Sequence, residues 1–119
     1  MARRAALGAF ATCMLASCGR VEGRADPLRL VAAPDGRDTR LSLLAGPGLH
    51  VNARLAPALE LRDGRVVRFE TGRLTPDSAY FAEPPTALLP GRPREIHGTL
   101  RASVCEADAL VCRGVQLEI

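Results

Sequence analysis

Cys105 and Cys112, separated by six residues near the end of the chain, are the pair of side chains best placed for redox chemistry. Two thiols this close in sequence form a bridge that either pins a hairpin or opens by exchange with another protein's thiols. The residues around them alternate with the period of half-buried strands. Leu100, Ala102 and Val104 interleave with Arg101, Ser103 and Cys105, and Val111, Val115, Leu117 and Ile119 interleave with Cys112, Gln116 and Glu118. If Cys105 faces Cys112 across an antiparallel pair, Ala102 falls opposite Val115, Leu100 opposite Leu117 and Arg101 opposite Gln116. Apolar then meets apolar and polar meets polar, whereas a slip of one residue would set apolar faces against polar ones. The turn falls within Glu106 to Leu110. This register places both sulfurs on the polar face beside Ser103, where a partner could reach them. Closing so short a loop is worth about 2 to 3 kcal/mol by chain entropy. Spacing alone leaves the structural and the exchanging roles both open.

Other candidate groups are sparse. His50 and Asn52 share one side of a strand opposite Leu49, Val51 and Ala53, as ligands or as a polar contact site. The second histidine, His97, has the polar parity of Cys105, but eight extended residues span about 26 Å, so a cysteine–histidine nucleophile is not supported. Two histidines far apart, without an HxxxH or a Cys–His cluster, argue against a metal site, and no cofactor is expected. Arg101 and Arg113 would favour a thiolate, while Glu106 and Asp108 would oppose one. The chain contains no GxSxG, P-loop, dinucleotide-binding glycine fingerprint or HExxH, so hydrolase, kinase and dehydrogenase readings have no support.

The first residues read as an address. Arg3 and Arg4 precede an apolar run from Ala5 to Ala16, the pattern of an export signal and too short for a spanning helix. Leu15-Ala16-Ser17-Cys18 resembles the lipobox of bacterial lipoproteins, which implies a signal peptide at 1–17, lipidation at Cys18 and attachment to the membrane. Cys13 lacks that context and is expected to leave with the signal. Gly19, rather than aspartate, points to the outer membrane under the sorting rule of enteric bacteria.

What remains after the signal, about a hundred residues, suits one domain with one core. The net charge of +3 includes Arg3 and Arg4, leaving roughly +1 with acidic residues spread among the arginines. That is not a nucleic-acid footprint. Tryptophan is absent and aromatics make up 3% of the chain, which removes any base-stacking platform. Residues 18–27 read as a polar tether and 28–119 as the folded domain. Short β-like segments follow: Leu28 to Ala33, Thr39 to Leu44, Leu49 to Ala53, Ala58 to Leu61, Arg65 to Phe69, Ala79 to Phe81 and Arg94 to Val104. Turn signals at Pro34-Asp35-Gly36, Gly46-Pro47-Gly48 and Arg62-Asp63-Gly64 separate them. Proline and glycine recur too often for long helices. An all-β sandwich of about seven or eight short strands is predicted.

Two stretches carry a family likeness. Gly48-Leu49-His50-Val51-Asn52-Ala53, with Pro57 and Leu59 to Leu61, resembles the opening of the amino-terminal periplasmic domain of DsbD-type thiol:disulfide interchange proteins. The stretch Gly98 to Ile119, with its cysteine pair, resembles that domain's closing hairpin. The likeness covers about Leu28 to Ile119. It implies an immunoglobulin-like β-sandwich whose Cys105–Cys112 disulfide receives electrons from a membrane or thioredoxin-like donor and passes them to envelope thiol proteins, through a mixed disulfide. This is a protein-disulfide-reductase-like activity. The chain departs from the pattern in its six-residue spacing and in Arg113-Gly114 after the second cysteine. Phe81 to Pro93 is proline-rich and holds no recognisable aromatic cap over the disulfide. Tyr80 and Phe81 read as core residues, or alternatively as a substitute cap. The other reading is a non-catalytic envelope lipoprotein domain that binds a partner and keeps the disulfide for stability.

Overall fold

The computed structural model describes residues 19–25, 27–106 and 111–119. The signal-like segment, Cys13, Cys18 and the turn residues 107–110, including Asp108, lie outside them. Nine strands run through the described residues: β1 (Arg20–Ala25), β2 (Leu28–Asp35), β3 (Asp38–Ala45), β4 (Leu49–Val51), β5 (Ala58–Leu61), β6 (Val66–Arg68), β7 (Thr86–Leu89), β8 (Gly98–Glu106) and β9 (Cys112–Glu118). They form two antiparallel sheets packed face to face, the expected all-β sandwich. One sheet has the order β1-β2-β3-β7; the other is built around β8.

Alternation explains how the two layers meet. Leu28, Leu30 and Ala32 on β2 and Leu41 and Leu43 on β3 turn inward from one sheet. Val51, Leu59, Leu61, Leu100, Ala102, Val104 and Leu117 turn inward from the other. Phe69, Phe81 and Ile96, from the connections, fill the space between. Each of these large side chains contributes about 1.5 to 3 kcal/mol when fully buried.

Strand β8 organises the second sheet. Strand β9 pairs along one side of it, from Thr99↔Glu118 to Cys105↔Cys112. Strands β5 and β4 share the other side in succession, β5 along Gly98 to Arg101 and β4 along Val104 to Glu106. Gly98 permits the β5 contact, since a Cβ there would stand 2.3 Å from the Glu60 carbonyl oxygen. Strand β8 starts at Gly98 rather than at Arg94 as the sequence suggested. The chain enters from Pro93 along an irregular path on which the His97 carbonyl accepts a hydrogen bond from the Arg62 N–H at 3.0 Å.

Two further segments differ from expectation. Arg20–Ala25, read as part of a tether, is strand β1, whose backbone pairs with β2 through an irregularity between Val21 and Gly23. Backbone hydrogen bonds need no apolar pattern, and Gly23 lets the strand close against Ile119, which would meet a Cβ at 2.7 Å. Thr86–Leu89, within the proline-rich stretch, is β7, with Ala87 and Leu89 buried against β3.

Candidate functional site

The β8–β9 ladder has the register that the cysteine pairing predicts: Cys105 faces Cys112, Ala102 faces Val115, Leu100 faces Leu117 and Arg101 faces Gln116. A disulfide joins Cys105 to Cys112, with Cα atoms 3.9 Å apart. The Glu106 N–H donates to the Val111 carbonyl at 2.9 Å, and Gly98 and Ile119 exchange both backbone bonds. Hydrogen-bonded and non-hydrogen-bonded pairs alternate along an antiparallel ladder, so Cys105 and Cys112 occupy a non-hydrogen-bonded pair, where side chains stand closest.

Parity puts the bridge on the outer face of the sheet, away from Val104 and Ala102. The two cysteines are nevertheless unequal. Cys112, on the outermost strand, is exposed, whereas Cys105 is only 1% exposed. The expectation that a partner could reach both sulfurs therefore holds only for Cys112. Cys105 is flanked on both sides, by Cys112 on β9 and by His50 on β4, its cross-strand partner.

His50 belongs to a row of polar side chains on this face. The Asn52 N–H donates to the Ser103 carbonyl at 2.9 Å, and Asn52 Nδ2 lies 3.4 Å from Ser103 Oγ. Asn52 Oδ1 accepts the Arg54 N–H at 2.9 Å, turning the chain out of the sheet after β4. Ser103 is buried in this row. Tyr80 pairs with Asn52 through an isolated bridge, and its ring packs on the His50 imidazole with centroids 5.4 Å apart and planes tilted by 31°. His50 thus stands on the β4 side of the buried cysteine, with the Tyr80 ring packed behind it.

The segment carrying Tyr80 is held by a tight turn. The Ser78 N–H donates to the Thr75 carbonyl at 2.8 Å, with Ser78 at φ 60°. Asp77 Oδ1 accepts from the Thr75 hydroxyl at 2.7 Å and from the Ala79 N–H at 3.1 Å. These bonds, the hydroxyl's first, hold the Asp77 carboxyl below the ordinary carboxylate range. The Phe81 N–H, one residue on, donates to the Val51 carbonyl at 3.0 Å and its ring enters the core. Of the two aromatic residues considered as a cap, Phe81 is core and Tyr80 faces the disulfide side. Beside them, Leu49, His50, Phe81, Glu83 and Pro85 line a cleft of about 270 Å³.

Of the charges named from sequence, Arg101, Arg113 and Glu106 are described, and none of them is directed at the sulfurs. Arg101 lies 3.5 Å from Glu60 as an exposed ion pair, four residues from Cys105. Arg113 stands opposite Val104 and Glu106 opposite Leu49, so both have the parity opposite to that of the sulfurs. His97 bonds Glu95 at 3.0 Å at the far end of β8, holding that carboxyl below its ordinary range. It takes no part in the disulfide's surroundings.

No protein-family model, curated protein or solved structure matches this chain. The packing of Tyr80 on His50, like the burial of Cys105, was missed by sequence reasoning. Its one local sign was the brief alternation at Ala79-Tyr80-Phe81.

Proposed function

We propose that this chain is a lipid-anchored thiol:disulfide exchange domain of the bacterial envelope, working through Cys105 and Cys112, with Cys18 as the lipidated residue. The observation that carries the reading is the asymmetry of the bridge, one cysteine exposed on an edge strand and the other buried. A partner thiolate attacks Cys112 Sγ. A bond forms between the two proteins, the Cys105–Cys112 bond breaks, and the electron pair leaves on Cys105 Sγ, which takes a proton from water. The partner's second thiolate then attacks its own sulfur in the mixed disulfide and releases Cys112. Two electrons have passed from the partner, now a disulfide, to this domain, and the reverse sequence delivers them to an oxidised envelope protein. The resemblance to DsbD-type domains supports the same assignment.

The burial of Cys105 also favours a second reading, a structural disulfide in a lipoprotein that binds an envelope partner without exchange. The reduction potential separates the two. Equilibration against glutathione or dithiothreitol buffers should place the pair above about −300 mV for an exchanging bridge. A value well below this, with reduction only on unfolding, would establish the staple and end the exchange reading.

A further inference from the structure

The alternation of the β8–β9 ladder fixes where the backbone of β9 points. The hydrogen-bonded pairs include Gly98 with Ile119 and Glu106 with Val111. Every second residue between, namely Cys112, Gly114, Gln116 and Glu118, therefore turns its N–H and C=O away from β8. No described residue takes up these groups on Cys112, Gly114 or Gln116. Strand β1 comes against β9 at its other end, where Gly23 meets Leu117 and Ile119. The open stretch thus begins at the exposed cysteine. Gly114 adds no side chain to it, and nothing stands within 4 Å of where its Cβ would be.

Cys112 stands between Cys105 and this open edge. Displacement at sulfur needs the entering, central and leaving sulfurs in a line. The pair runs from Cys105 on β8 to Cys112 on β9, and the open edge lies beyond Cys112, the sulfur that the entering thiolate must reach. A strand added beside β9 would lie about 4.8 Å further out, and the residue opposite Cys112 would project to the same face as its sulfur.

We propose that the edge Cys112–Gln116 is the docking strand for an extended backbone segment that the exchanging protein holds beside its reactive cysteine. That segment joins the sheet by backbone hydrogen bonds and brings the neighbouring thiolate up to Cys112 Sγ. This inference rests on the exchange reading above and specifies how the partner is recognised: through main chain, with little demand on its sequence.

Gly114→Pro tests it, because proline removes one outward N–H and leaves the bonds to β8 in place. Gly114→Ala is the control that keeps the N–H. The full-length chain in detergent is reduced by thioredoxin, as a protein dithiol, and by dithiothreitol. The expected result is reduction by thioredoxin about tenfold slower in Gly114→Pro, with the dithiothreitol rate unchanged and Gly114→Ala like the wild type. Equal thioredoxin rates in all three, or equal slowing with both reductants, overturns the docking proposal and leaves exchange standing. A wild type reduced no faster by thioredoxin than by dithiothreitol overturns exchange itself, and the docking with it. A second measurement does not depend on the proline variant folding. In the mixed disulfide between the Cys105→Ser chain and a thioredoxin without its resolving cysteine, the Gly114 and Gln116 amides should become protected from hydrogen exchange. Unchanged exchange, or protection already present in the chain alone and growing with its concentration as two β9 edges pair, overturns the proposal.

Discussion

Cys112 is exposed and Cys105 is 1% exposed, so single substitutions should give thiols of very different reactivity. In the Cys105→Ser chain the remaining thiol should alkylate with iodoacetamide at the rate of an accessible cysteine and accumulate mixed disulfides. In Cys112→Ser the Cys105 thiol should react roughly tenfold more slowly, because reaction waits on local opening. Equal rates would mean that burial does not protect Cys105. The aromatic neighbours separate by the same logic. Tyr80 is half-buried against His50, whereas Phe81 lies in the core cluster. Tyr80→Ala should therefore speed alkylation of Cys105 in the Cys112→Ser background while costing about 1 to 2 kcal/mol of stability. Phe81→Ala should cost about 3 to 5 kcal/mol. Denaturant midpoints with unchanged slopes would check both values, and similar costs for the two would contradict the placement of Tyr80 outside the core.

The elements that position these residues depend on a few local devices. Gly98 lets β5 lie against β8, and a methyl group there would press on the Glu60 carbonyl at 2.3 Å, where the neighbouring atom is backbone and has little freedom to yield. Gly98→Ala should destabilise by about 1 to 3 kcal/mol in a denaturant titration. A neutral result would mean that β5 can shift. The turn at Thr75 to Ser78 presents Tyr80 through Asp77, whose folded pKa is depressed by the Thr75 hydroxyl and the Ala79 N–H. A depressed carboxyl stabilises the fold at pH values above its unfolded pKa, and that contribution disappears as pH falls through the lower, folded value. Amide protection at Ala79 and Tyr80 should therefore drop below about pH 4, and Asp77→Asn, which keeps an acceptor oxygen without a titrating group, should remove the pH dependence. Most of these elements were legible in sequence, since alternation and turn residues marked β2 to β6, and the cysteine pair fixed the register of β8 and β9. Strands β1 and β7 were not, because an edge strand such as Arg20–Ala25 is held mainly by backbone bonds, and Thr86–Leu89 is four residues between prolines. The outer-face position of the sulfurs followed from parity. The burial of Cys105 did not, because its cross-strand neighbour His50, backed by Tyr80, is distant in sequence and comes beside it only in the sheet.

Across the whole molecule, the disulfide and the core are nearly independent, and this bears on whether the domain could work as a carrier. The apolar cluster spans both sheets, from Leu28 and Leu43 to Leu59 and Leu100, and includes neither cysteine. The bridge joins residues seven apart, so opening it releases only a short loop, worth about 2 to 3 kcal/mol of chain entropy. A domain of this size has about 5 to 15 kcal/mol of stability to draw on. The reduced chain should therefore stay folded, with a denaturant midpoint lowered by that amount, an unchanged slope and the same β-sheet circular dichroism as the oxidised chain. The double variant Cys105→Ser, Cys112→Ser should behave alike, which would assign the loss to the bridge rather than to the reductant. A carrier must be folded in both redox states to meet its donor and then its acceptor. If reduction instead unfolds the domain cooperatively, the bridge holds the sandwich together, and a cycle through the reduced state becomes untenable.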